Sequence, residues 1–193
     1  MLSVVIATQE SERALLPTLA ALVPGAVAGI VREVIVADAG SGDSTTQIAE
    51  GAGCRVLTSA EPHGARLKAA AAGARAPWLL FLTAGTVPDA TWIDETRRFI
   101  ETAELSGRAD THAAAFRRNS ATFRPTFIEA LALLHAALGG APNPKQGLLI
   151  AKTHYDRLGG HRPDGREPER DLVRRLGRRH VVLLRTGAIT AIT

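Results

Sequence analysis

A chain of 193 residues, 46% hydrophobic and 22% charged, can bury one substantial core and is too apolar for intrinsic disorder. Its formal charge of +4 favours acidic partners such as nucleotide phosphates or an anionic membrane surface without choosing among them. An aromatic content of 4% argues against a base-stacking surface, and nucleic acid is not an expected partner.

The apolar start from Met1 to Thr8 is too short for a signal-peptide core, and no stretch approaches the roughly 18 apolar residues of a membrane span. Cys54 is the only cysteine, which removes intrachain disulfides and thiolate zinc sites, so a reducing cytoplasm is the expected setting. Ser3 to Thr8 (SVVIAT) and Arg32 to Asp38 (REVIVAD) are β-branched runs of buried-strand type. Between them Leu15, Leu16, Leu19 and Leu22 recur at helical spacing, and Pro24 with Gly25 is expected to end that helix. Ser44-Thr45-Thr46-Gln47 reads as a capping box opening a second helix towards Ala52, followed by a strand at Arg55 to Thr58.

Gly64 to Ala74 is Ala-rich and predicted helical, Trp78 to Thr83 (WLLFLT) is a fourth strand, and Pro88-Asp89 announces a helix from about Ala90 to Leu105. The second half is less regular. A strand is predicted at Ala113 to Arg117, a helix at Thr126 to Leu138, a Gly/Pro loop at Gly139 to Pro144 and an apolar stretch at Gly147 to Ala151. Asp156 to Gly160 resembles a glycine-capped helix end, and a helix at Glu169 to Leu176 and a strand at Val181 to Leu184 close the chain. Alternating strands and helices imply an α/β fold, a doubly wound, mostly parallel sheet flanked by helices in a single domain, with its ligand crevice at the strand C-termini. Residues 1–105 would form the nucleotide-binding half and 106–193 the acceptor half.

Asp38 ends a buried strand at that crevice and is followed by Gly40, Ser41 and Gly42. It reads either as an acceptor for a base or ribose or as the head of a tight turn before a helix capped by Asp43 or Ser44. Asp38-Ala39-Gly40-Ser41-Gly42 also fits the Asp-x-Gly-x-Gly pattern of methyltransferases that use S-adenosylmethionine. The six histidines, His63, His112, His135, His154, His161 and His180, lack zinc-like spacing and are read as structural. Arg174, Arg175, Arg178 and Arg179 form a solvated helix end that also suits peripheral contact with an anionic lipid surface at the inner membrane face.

The segments VVIATQESERALLPTLAAL, REVIVADAGSGDSTTQIAEGAGCRVL and HGARLKAAAAGARAPWLLFLTAGTVPDATW, in that order, resemble successive blocks of a bacterial branch of the family 2 glycosyltransferases. QGLLIAKTHYDRLGGHRPDGREPERDLVRRLGRR resembles that family's acceptor-side block, whereas the methyltransferase pattern explains one segment only. The resemblance implies the nucleotide-diphosphosugar transferase fold and transfer of a sugar from a nucleotide-diphosphosugar donor to an unknown acceptor. It implies nucleotide-sugar binding by Thr8, Glu10, Asp38, Gly40, Gly64 and Arg66, with Arg66 also readable as a solvated helix residue. It places Glu169 at the general base, with Asp171 as a second acid nearby; both also read as acids favourable to a helix N-terminus.

Three departures from the family pattern stand out. Its Asp-x-Asp or His-Ala-Asp motif, whose last acid holds Mn or Mg on the sugar diphosphate, is replaced by Thr83, Ala84 and Gly85, so no metal ligand is assigned; Asp89 would serve only if its loop bent back. Its Glu-Asp pair becomes Pro168-Glu169, and Pro-Thr-x-Asn-Glu becomes Ala7-Thr8-Gln9-Glu10. Three readings follow: an active glycosyltransferase, a catalytically silent nucleotide-binding or regulatory relative, and the methyltransferase.

Overall fold

A computed structural model describes residues 1–118, 147–163, 165 and 167–190. The helix and loop expected within 126–144 lie outside these residues. Elements in chain order are β1 (Leu2–Thr8), α1 (Glu12–Val27), β2 (Val31–Asp38), α2 (Thr45–Gly51), β3 (Arg55–Thr58), α3 (His63–Ala72), β4 (Trp78–Thr83) and β5 (Thr86–Pro88). There follow α4 (Trp92–Leu105), β6 (Ala113–Arg118), β7 (Leu148–Ala151), α5 (Lys152–Arg157), α6 (Pro168–Leu176) and β8 (Val181–Thr190). One sheet joins the strands in the order β3-β2-β1-β4-β7-β6-β8-β5.

β3, β2, β1 and β4 run parallel, joined by helical crossovers. Beyond β4 the sheet is mixed, with β7 antiparallel to β4 and β6, β8 parallel to β6 and β5 antiparallel to β8. The period-2 alternation of β1 explains why both faces are covered. Leu2, Val4 and Ile6 enter the core with Leu15 and Leu22 of α1 and Trp92 of α4, while Val5 and Ala7 enter a second core with Leu67 of α3, Tyr155 of α5 and Leu172 of α6. The chain doubles back from β1 to β2 on one side and reaches β4 on the other, so the crevice lies where Thr8 and Thr83 end neighbouring strands.

Four local expectations change. α1 runs through Pro24 and Gly25 to Val27, because a side chain at Gly25 would lie 2.5 Å from the buried Trp92 ring, so this glycine serves packing rather than termination. Ser44 precedes α2 but makes no side-chain cap; Asp43 does that work, accepting from the Thr45 N–H at 3.0 Å and from its hydroxyl. Thr86–Pro88 is a strand with no sequence signature of its own, and the last strand extends to Thr190 because β8 pairs with both β6 and β5. The expected helix end at Asp156 to Gly160 is α5 followed by Gly159 and Gly160, both at positive φ.

Candidate active site

Asp38 is fully buried at the end of β2, and four hydrogen bonds fill its carboxylate. Oδ1 accepts from the Thr8 hydroxyl at 2.8 Å and the Ser41 hydroxyl at 2.6 Å; Oδ2 accepts from the amides of Gly40 and Ser41, each at 2.8 Å. Gly40, at φ 86°, lets the chain turn back onto the acid. Burial alone would raise the Asp38 pKa, but these donors outweigh it and hold the group below the usual carboxylate range. The turn reading of Asp38 holds, since the acid accepts from the amides of Gly40 and Ser41 at the end of β2.

The loops on either side are stitched to each other. The Glu10 N–H donates to Ser41 Oγ at 2.9 Å, and Glu10 Oε1 accepts from Gly42 N–H at 2.7 Å. The Ser11 N–H donates to Thr45 Oγ1 and the Glu12 N–H to Asp43 Oδ2. Glu10 pays for this with φ 46°, the one non-glycine left-handed residue among those described. Ser41 is one residue of this cluster that the sequence pattern does not single out; its place in an Asp-x-Gly-Ser turn is the available signal.

Arg66 is not a solvated helix residue. It is 7% exposed, and Nη1 donates to the carbonyls of Thr8 at 3.2 Å and Ala37 at 2.7 Å while Nε donates to that of Glu61 at 3.2 Å. It thus ties the ends of β1 and β2 to α3 beneath Asp38. Gly64 is buried as well, because a Cβ there would stand 2.0 Å from the Arg162 carbonyl oxygen. That contact seats the loop after α5 on the first turn of α3.

Across this seam lies a second candidate acid. Glu169 opens α6, and its Oε1 is 2.5 Å from His63 Nε2 in the first turn of α3. Burial pushes the Glu169 pKa up, but the His63 hydrogen bond and charge bring it below its ordinary value. His63, read from sequence as one of six bland histidines, therefore belongs to the site. No local pattern announces it, because its partner is 106 residues away.

Asp171 has a different occupation. It accepts from Arg175 Nε at 2.8 Å and Arg174 Nη2 at 3.0 Å, with Arg162 at 3.6 Å. Arg175 continues to the carbonyls of Leu158 and Gly160, so the cluster clamps the glycine turn to α6. Within that turn His161 is fully buried, its Nδ1 is 2.9 Å from the Tyr155 hydroxyl, and its ring meets Phe81 edge-on. Burial lowers its pKa to about 4.

The end of β4 does not fit a divalent cation. Thr83, Ala84 and Gly85 offer no carboxylate, and the Gly85 N–H is bonded to the Ala14 carbonyl and the Thr18 hydroxyl, both at 2.9 Å. Asp89 does not bend back to replace them: it accepts from Thr91, from the Thr186 hydroxyl and from the Gly187 amide, which lower its pKa to about 2 against the opposing effect of burial. Among the described residues no group of three or more His, Cys, Asp or Glu could hold a metal. None of their helices is long and apolar enough to cross a membrane.

The sheet, parallel from β3 to β4 and mixed beyond, carries a buried acid at the crevice where β1 and β2 end, and this is an α/β fold with its open edge at the strand C-termini. The profile described as Glycosyl transferase family 2 matches residues 3–153, and the chain belongs to that family. Comparison with curated proteins finds no match. Among solved structures the fold is similar to S. aureus TarS 1-349, with a TM-score of 0.72 and 15% identity, over 98% of this chain and 60% of that one. The same TarS fragment in complex with UDP gives a TM-score of 0.71 and 15% identity over 100% of this chain and 60% of that one. Glucosyl-3-phosphoglycerate synthase from Mycobacterium tuberculosis, in complex with Mn2+, UDP and glucosyl-3-phosphoglycerate, gives 0.65 and 20% over 95% and 68%. The chain thus spans about 60% of the TarS fragment's length.

Proposed function

We propose that this chain transfers a sugar from a nucleotide-diphosphosugar to a hydroxyl-bearing acceptor. The observation that carries the reading is the knot of Thr8, Asp38, Ser41 and Arg66 at the switch point of a family 2 sheet. The nucleoside lies against the wall made by Thr8 and Asp38, with Glu10 and Gly40 shaping its loops and Gly64 seating the acceptor-side loop beside it. A uridine donor is the first to try, since similar folds were solved with UDP. Arg66 acts by fixing the strand ends, which leaves Lys68, exposed on α3, to approach the diphosphate. Glu169 marks the acceptor side, and Asp171 shapes the loop beside it.

Titration calorimetry with UDP and GDP, with and without Mn2+ or Mg2+, tests this. UDP binding is expected without metal, with a cation adding less than about tenfold, or 1.4 kcal/mol, because the turn after β4 lacks a carboxylate. Asp38→Ala should weaken binding by about 1.5 to 3 kcal/mol. Absence of binding by either nucleotide overturns the reading.

The missing carboxylate at Thr83-Ala84-Gly85 favours a second reading, a silent nucleotide binder, which would bind UDP without turning over any UDP-sugar. In either case a cytoplasmic chain is expected, with Arg178 and Arg179 available to an anionic membrane face, which vesicle sedimentation would reveal.

A further inference from the structure

We propose that the proton of the acceptor hydroxyl goes to His63, oriented by Glu169, so that the base of this chain is an imidazole rather than a carboxylate acting directly. This rests on the sugar-transfer reading above. The geometry begins with β3, whose last residue Thr58 pairs with Asp38, so the following loop delivers the first turn of α3 to the crevice rim. There His63 Nε2 meets Glu169 Oε1 at 2.5 Å. A carboxylate accepts only from a protonated nitrogen, so the Nε2–H tautomer is fixed and Nδ1 is the basic position. Among the described residues no hydrogen-bond partner takes Nδ1.

Of the two side chains the imidazole is the more open, 36% exposed against 17% for Glu169. The glutamate is enclosed between α3 and the glycine turn, where His161 is the other titratable group close enough to act on it. His161 in turn senses Arg175 and Asp171, which are paired with each other, so no unpaired charge of α6 competes for His63. A largely enclosed carboxylate whose hydrogen bond is taken by His63 is a poor base, and the open nitrogen of the imidazole is the position left to accept a proton. The arrangement is that of an acid that positions a histidine, with the histidine facing the substrate.

The step balances. The acceptor oxygen forms its bond to the anomeric carbon, and the bond from that carbon to the diphosphate oxygen breaks with its electron pair, leaving on the nucleotide. The hydroxyl proton moves to His63 Nδ1, and the imidazolium formed is stabilised by Glu169 until solvent takes the proton.

The test is the hydrolysis of UDP-glucose and UDP-GlcNAc, with water as acceptor, alongside UDP calorimetry on the same proteins. His63→Gln should bind UDP normally, with KM for the UDP-sugar unchanged, and lose about 10²-fold or more in kcat. Glu169→Gln, which keeps an oxygen for His63, should lose less in kcat at the same KM. His63→Gln turnover within about threefold of wild type overturns the proposal and leaves sugar transfer standing. UDP binding without any turnover overturns sugar transfer itself, and the proton route with it. Independently of activity, ¹⁵N NMR should find His63 as the Nε2–H tautomer at pH 7.5; an Nδ1–H tautomer refutes the assignment.

Discussion

Asp38 and Glu169 are both buried acids, both held below the ordinary carboxylate range against the effect of burial, yet they are held in different ways. Asp38 accepts four hydrogen bonds from Thr8, Gly40 and Ser41, so its loops fold around it. Glu169 accepts from a single side chain, His63, which comes from another helix and is partly open to solvent. An acid whose acceptor sites are filled by its own loops fixes those loops, and one with a single side-chain partner from another helix orients that partner. The two halves of the site are pressed together at Gly64, where α3 meets the Arg162 carbonyl.

The largest effect should come from forcing that seam apart. A Cβ at Gly64 would stand 2.0 Å from a backbone oxygen, which cannot swing aside as a side chain would. Gly64→Val is expected to cost about 3 kcal/mol or more in urea denaturation, with the loop after α5 losing order together with α3. Retention of wild-type stability would mean that the loop is not seated on α3.

The contrast between the acids sets the next expectation. Asp38→Ala strips the partner from two loop amides and two hydroxyls and should destabilise by about 2 to 3 kcal/mol. Glu169→Gln keeps an oxygen for His63 and should cost less than about 1 kcal/mol, so its effect on turnover is read without a folding defect. Equal costs would erase the distinction between a structural acid and a poised one.

His161 supplies a difference that pH can read. Its pKa is about 4 in the fold against 6.5 ordinarily, so the unfolded chain binds its proton first as pH falls. Its contribution is present in full above about pH 6.5 and is lost progressively down to about pH 4, some 2 kcal/mol of it by pH 5. The depressed acids Asp38, Glu169 and Asp171 act in the same direction but at lower pH, losing their contributions only below about pH 4 to 4.5. Chemical denaturation at pH 7 and pH 5 separates the two, and His161→Asn should flatten the slope between them.

What was legible in the sequence follows from what is local. Arg55 to Thr58 and Trp78 to Thr83 were bounded correctly because each is an apolar or β-branched run closed by turn residues, and Asp38 was found because a strand end marks the crevice. Apart from the cap of α2, which Asp43 rather than Ser44 supplies, the differences are non-local. Gly25 answers to Trp92, β5 exists only through its pairing with β8, Arg66 is buried by carbonyls of strands far from it in sequence, and His63 acquires its role from Glu169. Composition and spacing carry no record of such partners.

The smallest effect concerns the turn after β4, where the family pattern would place an acid. Gly85 sits at φ 89° with its amide bonded to Ala14 and Thr18, a conformation that a side chain strains, whereas Thr83 is exposed at the end of an ordinary strand. Gly85→Asp should therefore destabilise by about 1 to 2 kcal/mol, and Thr83→Asp by less than about 0.5 kcal/mol. The pair of urea midpoints checks this, and a Gly85→Asp protein as stable as wild type would show that the turn readily adopts another backbone. The order matters for function as well as stability. The glycine turn is braced on α1 through Ala14 and Thr18, so placing an acid at position 85 requires the turn to be remade as well as the side chain.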